Sequence, residues 1–143
     1  MLVSTKGRYA LRIMIDLAEH QAEDYIPLKD IARRQEISEK YLEAVIKLLV
    51  KNKFLTGLRG KGGGYRLTKS PDQYTIGSIL QVTENSLAPV SCLASPQDTC
   101  PRKPFCKTLG MWQGLYRVIN DHLDNITLAD LLYQEDPGDD YVI

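Results

Sequence analysis

The chain has 143 residues, 43% of them hydrophobic and 25% charged, the balance of one ordinary globular domain and not of a disordered chain. No run approaches the ~18 apolar residues of a membrane span, and Met1 to Arg12 carries early charges without the unbroken apolar core of a secretory signal, so a cytoplasmic protein without membrane contact is expected. The net charge of zero hides an asymmetry: residues 1–80 hold 14 Lys+Arg against 9 Asp+Glu, whereas residues 81–143 hold 4 against 9. Eight cations and one anion, Glu43, lie between Lys40 and Lys69, the clustering that a phosphate-binding surface needs.

Residues 5–20 read as a helix whose apolar stripe is Ala10, Ile13, Met14, Leu17 and Ala18, with Ser4 or Thr5 able to cap it. A second helix, Leu28 to Gln35, starts after Pro27 and turns Leu28, Ile31 and Ala32 inward. Glu36-Ile37-Ser38 makes a tight turn, and Ser38 is a good N-cap for a third helix over Glu39 to about Asn52, buried along Leu42, Val45, Ile46 and Leu49. Two short helices joined by such a turn are the helix-turn-helix pattern.

Phe54 to Arg59 and Tyr65 to Thr68 read as paired strands around Gly60-Lys61-Gly62-Gly63-Gly64. The glycines permit a sharp reversal, and a cationic hairpin directly after a helix-turn-helix is a wing. A phosphate-cradling loop would need a helix opening immediately after the glycines, and a strand-like segment follows instead. Thr75 to Glu84 reads as a short helix. Asn85 to Pro104 holds four prolines and is too long for an ordinary connection. Phe105 to about Asp124 reads as a long amphipathic helix with Leu109, Trp112, Leu115, Tyr116, Ile119 and Leu123 as its stripe, expected to meet a partner chain. A short helix, Leu128 to Tyr133, precedes an acidic tail containing Glu135, Asp136, Asp139 and Asp140.

The expected fold class is therefore mainly α with a small β-hairpin: a winged helix-turn-helix DNA-binding domain (1–84), a cysteine-bearing loop (85–104), and a long dimerisation helix with a C-terminal segment (105–143). No nucleophile–base pair is suggested, and the two histidines are scattered, so an enzyme is not expected. A small iron–sulfur electron carrier would need neither a wing nor the cation cluster.

Four stretches carry a resemblance. Ser4-Thr5-Lys6-Gly7-Arg8-Tyr9-Ala10, Ile37-Ser38-Glu39-Lys40-Tyr41-Leu42-Glu43, Arg59-Gly60-Lys61-Gly62-Gly63-Gly64-Tyr65 and Asn125-Ile126-Thr127-Leu128 occur in this order, and together they make the chain similar to the Rrf-two family of bacterial regulators. The resemblance spans essentially the whole chain. It implies a homodimer, with a crossed pair of long helices between two winged-helix domains, bound to a double-stranded DNA operator as a repressor. It also implies that the third helix reads the major groove while the wing contacts the minor groove or backbone. Ser38, Lys40, Tyr41 and Glu43 match positions that face DNA. The Ser38 and Tyr41 hydroxyls suit phosphates, and Glu43 suits cytosine N4. Arg59 and Lys61 match the wing.

Cys92, Cys100 and Cys106 are spaced C-x7-C-x5-C. An odd count is a poor disulfide framework, and clustered cysteines in a cytosolic chain point to metal binding or redox response. Family members that carry an iron–sulfur cluster have a similar pattern, with two fewer residues in the first gap. The resemblance thus implies a 2Fe–2S or 4Fe–4S cluster on these three cysteines, whose state sets operator affinity. The family's fourth ligand has no counterpart here: one matching position is Leu109, another is Arg8. Asp98 lies in the loop as a conceivable ligand. The alternative is a metal-free, zinc-binding or thiol-redox regulator resembling the family's cysteine-metabolism branch, which works with a partner enzyme. The terminal Tyr141-Val142-Ile143 is faintly similar to that branch.

Overall fold

The structure, a computed structural model, describes residues 3–22, 24–97 and 100–133. The acidic tail and Asp98 lie outside the described residues. The first helix, α1 (Thr5–Glu19), is capped by Ser4, whose Oγ accepts from Gly7 N at 3.1 Å. All five residues of its expected stripe are buried. α2 (Leu28–Gln35) opens after Pro27 and closes at Glu36, a left-handed residue with φ 56°. Glu36 donates its N–H to Ala32 O and turns the chain sharply, and buried Ile37 follows. Ser38 then caps α3 (Glu39–Lys51), its Oγ accepting from Tyr41 N at 3.3 Å. The face formed by Leu42, Val45, Ile46 and Leu49 is buried, as its 3.6-residue period dictates.

β1 (Leu55–Leu58) and β2 (Gly64–Leu67) pair antiparallel, with Leu55 opposite Leu67 and Leu58 opposite Gly64. Ile26 adds a single rung on the far side of β2, exchanging both backbone hydrogen bonds with Tyr65 at 2.9 Å. The base of the hairpin is held by Tyr74, which is fully buried. Its hydroxyl accepts from Thr68 N and Lys69 N at 3.0 Å each and donates to Phe54 O at 2.9 Å.

α4 (Ile76–Thr83) packs on α1. After single helical turns at Ser91–Leu93 and Lys103–Phe105 come α5 (Leu109–Asp124) and α6 (Leu128–Leu132). Leu128 is fully buried in the same core as α1 and α3, and its N–H bonds Tyr74 O at 2.9 Å. The C-terminal segment is thus anchored in the N-terminal core.

α5 starts four residues later than the periodicity predicts. Pro104 sits inside the Lys103–Phe105 turn, and Cys106 is extended at φ −80° and ψ 106°, so the helix cannot propagate back through it. The expected stripe of α5 also divides. Tyr116 and Leu123 lie against the protein's own core, whereas Leu115 is 40% exposed alongside Met111 at 54% and Val118 at 64%. No residue of α5 is fully buried.

Candidate nucleic-acid interface

The position of α3 depends on how α2 is held against α1. Asp16, in the middle of α1, is 1% exposed. Arg34 of α2 donates to both its carboxylate oxygens, Nη2 to Oδ1 at 2.7 Å and Nε to Oδ2 at 3.0 Å, and Gln35 Nε2 adds a third bond at 3.0 Å. Arg12 completes the lock, with Nε 3.2 Å from Gln35 Oε1 and Nη2 on Gln35 O. Burial pushes the Asp16 carboxyl up, but the bonds from Arg34 and Gln35 and the nearby positive charge outweigh it, leaving its pKa below the ordinary value.

On this scaffold the start of α3 faces outward. Ser38, Lys40 and Glu43 are exposed. The Ser38 oxygen is engaged as the helix cap, which leaves its O–H free to donate. Glu43 Oε1 lies 3.7 Å from Lys47 Nζ, an exposed i,i+4 pair that contributes little and is readily exchanged for another partner. Tyr41 differs from these three. It is half-buried, its ring edge-on to Tyr9 of α1 at 5.3 Å and 89°, and Arg12 covers the Tyr9 ring at 5.2 Å. Tyr41 is therefore oriented by a stack that links α1 to α3.

Arg59 and Lys61 are exposed at the wing tip. The tip closes with Gly63 N on Gly60 O at 3.0 Å, and Gly60 and Gly62 hold positive φ of 91° and 76°. β1 packs against α3, which joins the base of the cationic wing to that helix. Sequence reasoning missed Asp16, Arg34, Gln35, Arg12 and Tyr9. The one signal available was a carboxylate set among the buried residues of an apolar stripe.

Cys92 lies in the Ser91–Leu93 turn, Cys100 accepts from Lys103 N through its carbonyl at 3.0 Å, and Cys106 ends the Lys103–Phe105 turn. All three are free and half-buried. Hydrogen bonds from the Thr108 hydroxyl (3.4 Å) and backbone lower the Cys106 thiol below its usual range, helped by Leu109 N–H and Arg102 against a small burial effect. Three soft thiol donors suit a cluster in chemistry. Among the described residues, however, no three His, Cys, Asp or Glu side chains converge on one point as a metal site requires. Leu109 opens α5 and Arg8 is exposed on α1, and neither can ligate.

Comparison with known proteins identifies relatives of the whole chain. The family model described as "Rrf2: Iron-dependent Transcriptional regulator" matches residues 3–134. The HTH-type transcriptional regulator IscR of Erwinia tasmaniensis is 38% identical over 136 residues, covering 95% of this chain and 81% of that protein. Protein rrf2 of Nitratidesulfovibrio vulgaris is 36% identical, covering 92% and 87%. Among solved structures, CymR, the global cysteine regulator of B. subtilis, superposes with a TM-score of 0.76 at 36% identity, covering 95% of this chain and 99% of that one. IscR of T. potens gives 0.71 at 37%, covering 92% and 86%.

Proposed function

Because this chain belongs to the Rrf2 family of winged-helix transcriptional regulators, we propose that it represses transcription as a cytoplasmic homodimer whose grip on operator DNA is set by its cysteine loop. DNA-binding regulation is the family's role, and the relatives are regulators, not enzymes. The observation that supports the finer reading is the packing of β1 on α3, with exposed polar and cationic residues on both the helix and the wing. Ser38, Lys40 and Glu43 are exposed on α3, and Arg59 and Lys61 at the wing tip. Ser38, Lys40 and Tyr41 meet phosphates, Glu43 accepts from cytosine N4 in the major groove, and Arg59 and Lys61 follow the backbone or enter the minor groove. The exposed Met111–Leu115–Val118 stripe of α5 packs on the same helix of a second chain, spacing two recognition helices for a two-fold operator.

Cys92, Cys100 and Cys106 would hold an iron–sulfur cluster, 2Fe–2S or 4Fe–4S. Such a group, when bound, supplies an oxidant- and iron-sensitive centre. The chain's own part is mechanical. Gathering three thiols now spread over the α4–α5 connection pulls that connection against α5, and through it changes the spacing of the two DNA-binding units. A second reading, thiol or zinc chemistry without a cluster, is favoured by two observations: the separate placement of the three cysteines and the likeness to the cysteine regulator.

Anaerobic purification followed by absorption spectroscopy and iron and sulfide analysis separates the two readings. A visible chromophore lost on Cys→Ser substitution supports the cluster, and a colourless protein that still binds DNA supports the second reading. Operator duplexes selected from a random library then test the interface. Arg59→Ala and Lys61→Ala should each flatten the plot of log affinity against log salt by about one unit. An unchanged slope would remove the wing from the contact.

A further inference from the structure

Tyr74 is bonded in two directions at once. Its main chain belongs to a short antiparallel junction with the segment between α5 and α6. Leu128 N donates to Tyr74 O and Ile76 N to Ile126 O, each at 2.9 Å, around the Thr75–Thr127 pair. The end of α5 lies so close to this junction that Gly77 has no room for a Cβ beside Asp124. The Tyr74 side chain runs the other way. Its hydroxyl accepts from Thr68 N and Lys69 N and donates to Phe54 O, which uses its one hydrogen and both lone pairs. Phe54 leads into β1 and Thr68 follows β2, so a single oxygen straddles the open end of the hairpin.

The centre of this connection is stiff. Tyr74 is 1% exposed and Leu128 0%, and a close-packed interior transmits a displacement instead of absorbing it. The hairpin then amplifies it. A four-residue strand is a lever of about 13 Å, so a tilt of about 10° at the base moves the tip by about 2 Å. That is enough to break a hydrogen bond to a phosphate. The packing of β1 on α3 and the Ile26–Tyr65 rung hold the hairpin to the helix-turn-helix, whereas Tyr74 joins it to the C-terminal arm.

We infer that Tyr74 is the positioning residue through which the α5–α6 junction sets the angle of the wing. A displacement of α5, started at the cysteine loop or at a dimer contact, then reaches Arg59 and Lys61 without passing through α3. This route acts within one chain and adds to any change in the spacing of two chains. The mechanical link stands on the bonds above, and its effect on DNA affinity rests on the regulator reading.

Two substitutions in the full-length protein, made singly and together, test the link. Tyr74→Phe removes the hydroxyl and keeps the ring. Asp130→Ala acts at the far end: Asp130 is exposed and caps α6 reciprocally with Thr127, at 2.9 and 3.2 Å. Its loss loosens the junction without touching the wing. Asp130→Ala should speed hydrogen exchange at the Thr68 and Lys69 amides by up to about 5-fold, the size of a lost helix cap. It should add nothing once the hydroxyl is gone. Tyr74→Phe should lower operator affinity about 3- to 10-fold, because fewer wings stand at the binding angle. Arg59→Ala should then cost less in the Tyr74→Phe background than in the parent. Unchanged Thr68 and Lys69 exchange in Asp130→Ala overturns the link. Acceleration spread equally over the α1 amides overturns it too, since the effect then travels by global opening. Equal losses from Arg59→Ala in both backgrounds overturn the positioning of the wing. If no form binds DNA, the regulator reading fails, and the exchange rates alone decide the link.

Discussion

Arg34 holds Asp16 by both carboxylate oxygens, at 2.7 and 3.0 Å, in a pocket where Asp16 is 1% exposed. The pair ties the first helix of the helix-turn-helix to α1. Removing the charge by Asp16→Asn breaks the two-point contact with Arg34. Because the Arg34 side chain is 25% exposed, water offsets part of the loss. The expected cost is about 2–3 kcal/mol, below the 3–5 of a fully buried pair, read from urea unfolding at neutral pH. The carboxyl's folded pKa is depressed below 3.8, so its stabilisation is complete above the unfolded value. It is lost as pH falls through the folded one. Acid unfolding of the native chain should therefore steepen below pH ~4, and Asp16→Asn should lose that component. A variant as stable and as acid-sensitive as the parent would show the pair to be ornamental.

Two wing glycines should respond differently to alanine. At Gly64 an added Cβ would sit 2.1 Å from Ile26 O, so the rung between Ile26 and Tyr65 must open and two backbone hydrogen bonds go with it. Gly64→Ala should cost about 2–4 kcal/mol and weaken DNA binding through a displaced wing. At Gly60 nothing lies within 4 Å, and only the φ of +91° resists, a strain of about 1–2 kcal/mol. Thermal denaturation of both variants checks the order, and a reversed order would contradict the packing of β2 on Ile26.

The base of the wing depends on one hydroxyl. Tyr74→Phe keeps the ring against Phe54, at 5.6 Å between centroids, and deletes the group that satisfies Thr68 N, Lys69 N and Phe54 O. Thr68 N and Phe54 O keep a longer bond to each other at 3.4 Å, so the loss of the hydroxyl's bonds costs about 1 kcal/mol. Hydrogen exchange should speed selectively at the Thr68 and Lys69 amides, with the α1 amides unchanged. Uniform speeding would mean the hydroxyl supports the whole core and not the hairpin.

These features divide cleanly into what a one-dimensional reading can and cannot find. The stripes of α1 and α3, the Ser38 cap and the glycine-rich reversal are local: each is set by residues three or four apart, within reach of period and capping rules. The exposure of Ser38, Lys40 and Glu43 on α3 was legible for the same reason, since it follows from the opposite, buried face. The Asp16–Arg34 pair spans 18 residues, the Ile26–Tyr65 rung 39, and the Tyr74–Phe54 bond 20, and nothing in local spacing selects such partners. α5 was misjudged through competition between rules. Its apolar period runs back to Phe105, but Pro104 and the extended Cys106 override it. The division of its stripe between the protein's own core and solvent depends on where α4 lies.

That division carries the last prediction. Val118 is 64% exposed on α5, on the side away from Tyr116 and Leu123, which face the core. In a lone chain, Val118→Asp changes only a solvated position and should alter folding stability by no more than about 0.5 kcal/mol. In a dimer built on the Met111–Leu115–Val118 stripe, it places a carboxylate opposite its own symmetry mate in an apolar contact, and a buried unpaired charge is not tolerated there. Sedimentation should therefore show a well-folded monomer. Operator affinity should fall by about 100-fold or more, because each half-site then binds a separate molecule and the gain from linkage is gone. A variant that still sediments as a dimer would move the interface off this stripe, and the spacing of the two recognition helices would need another origin.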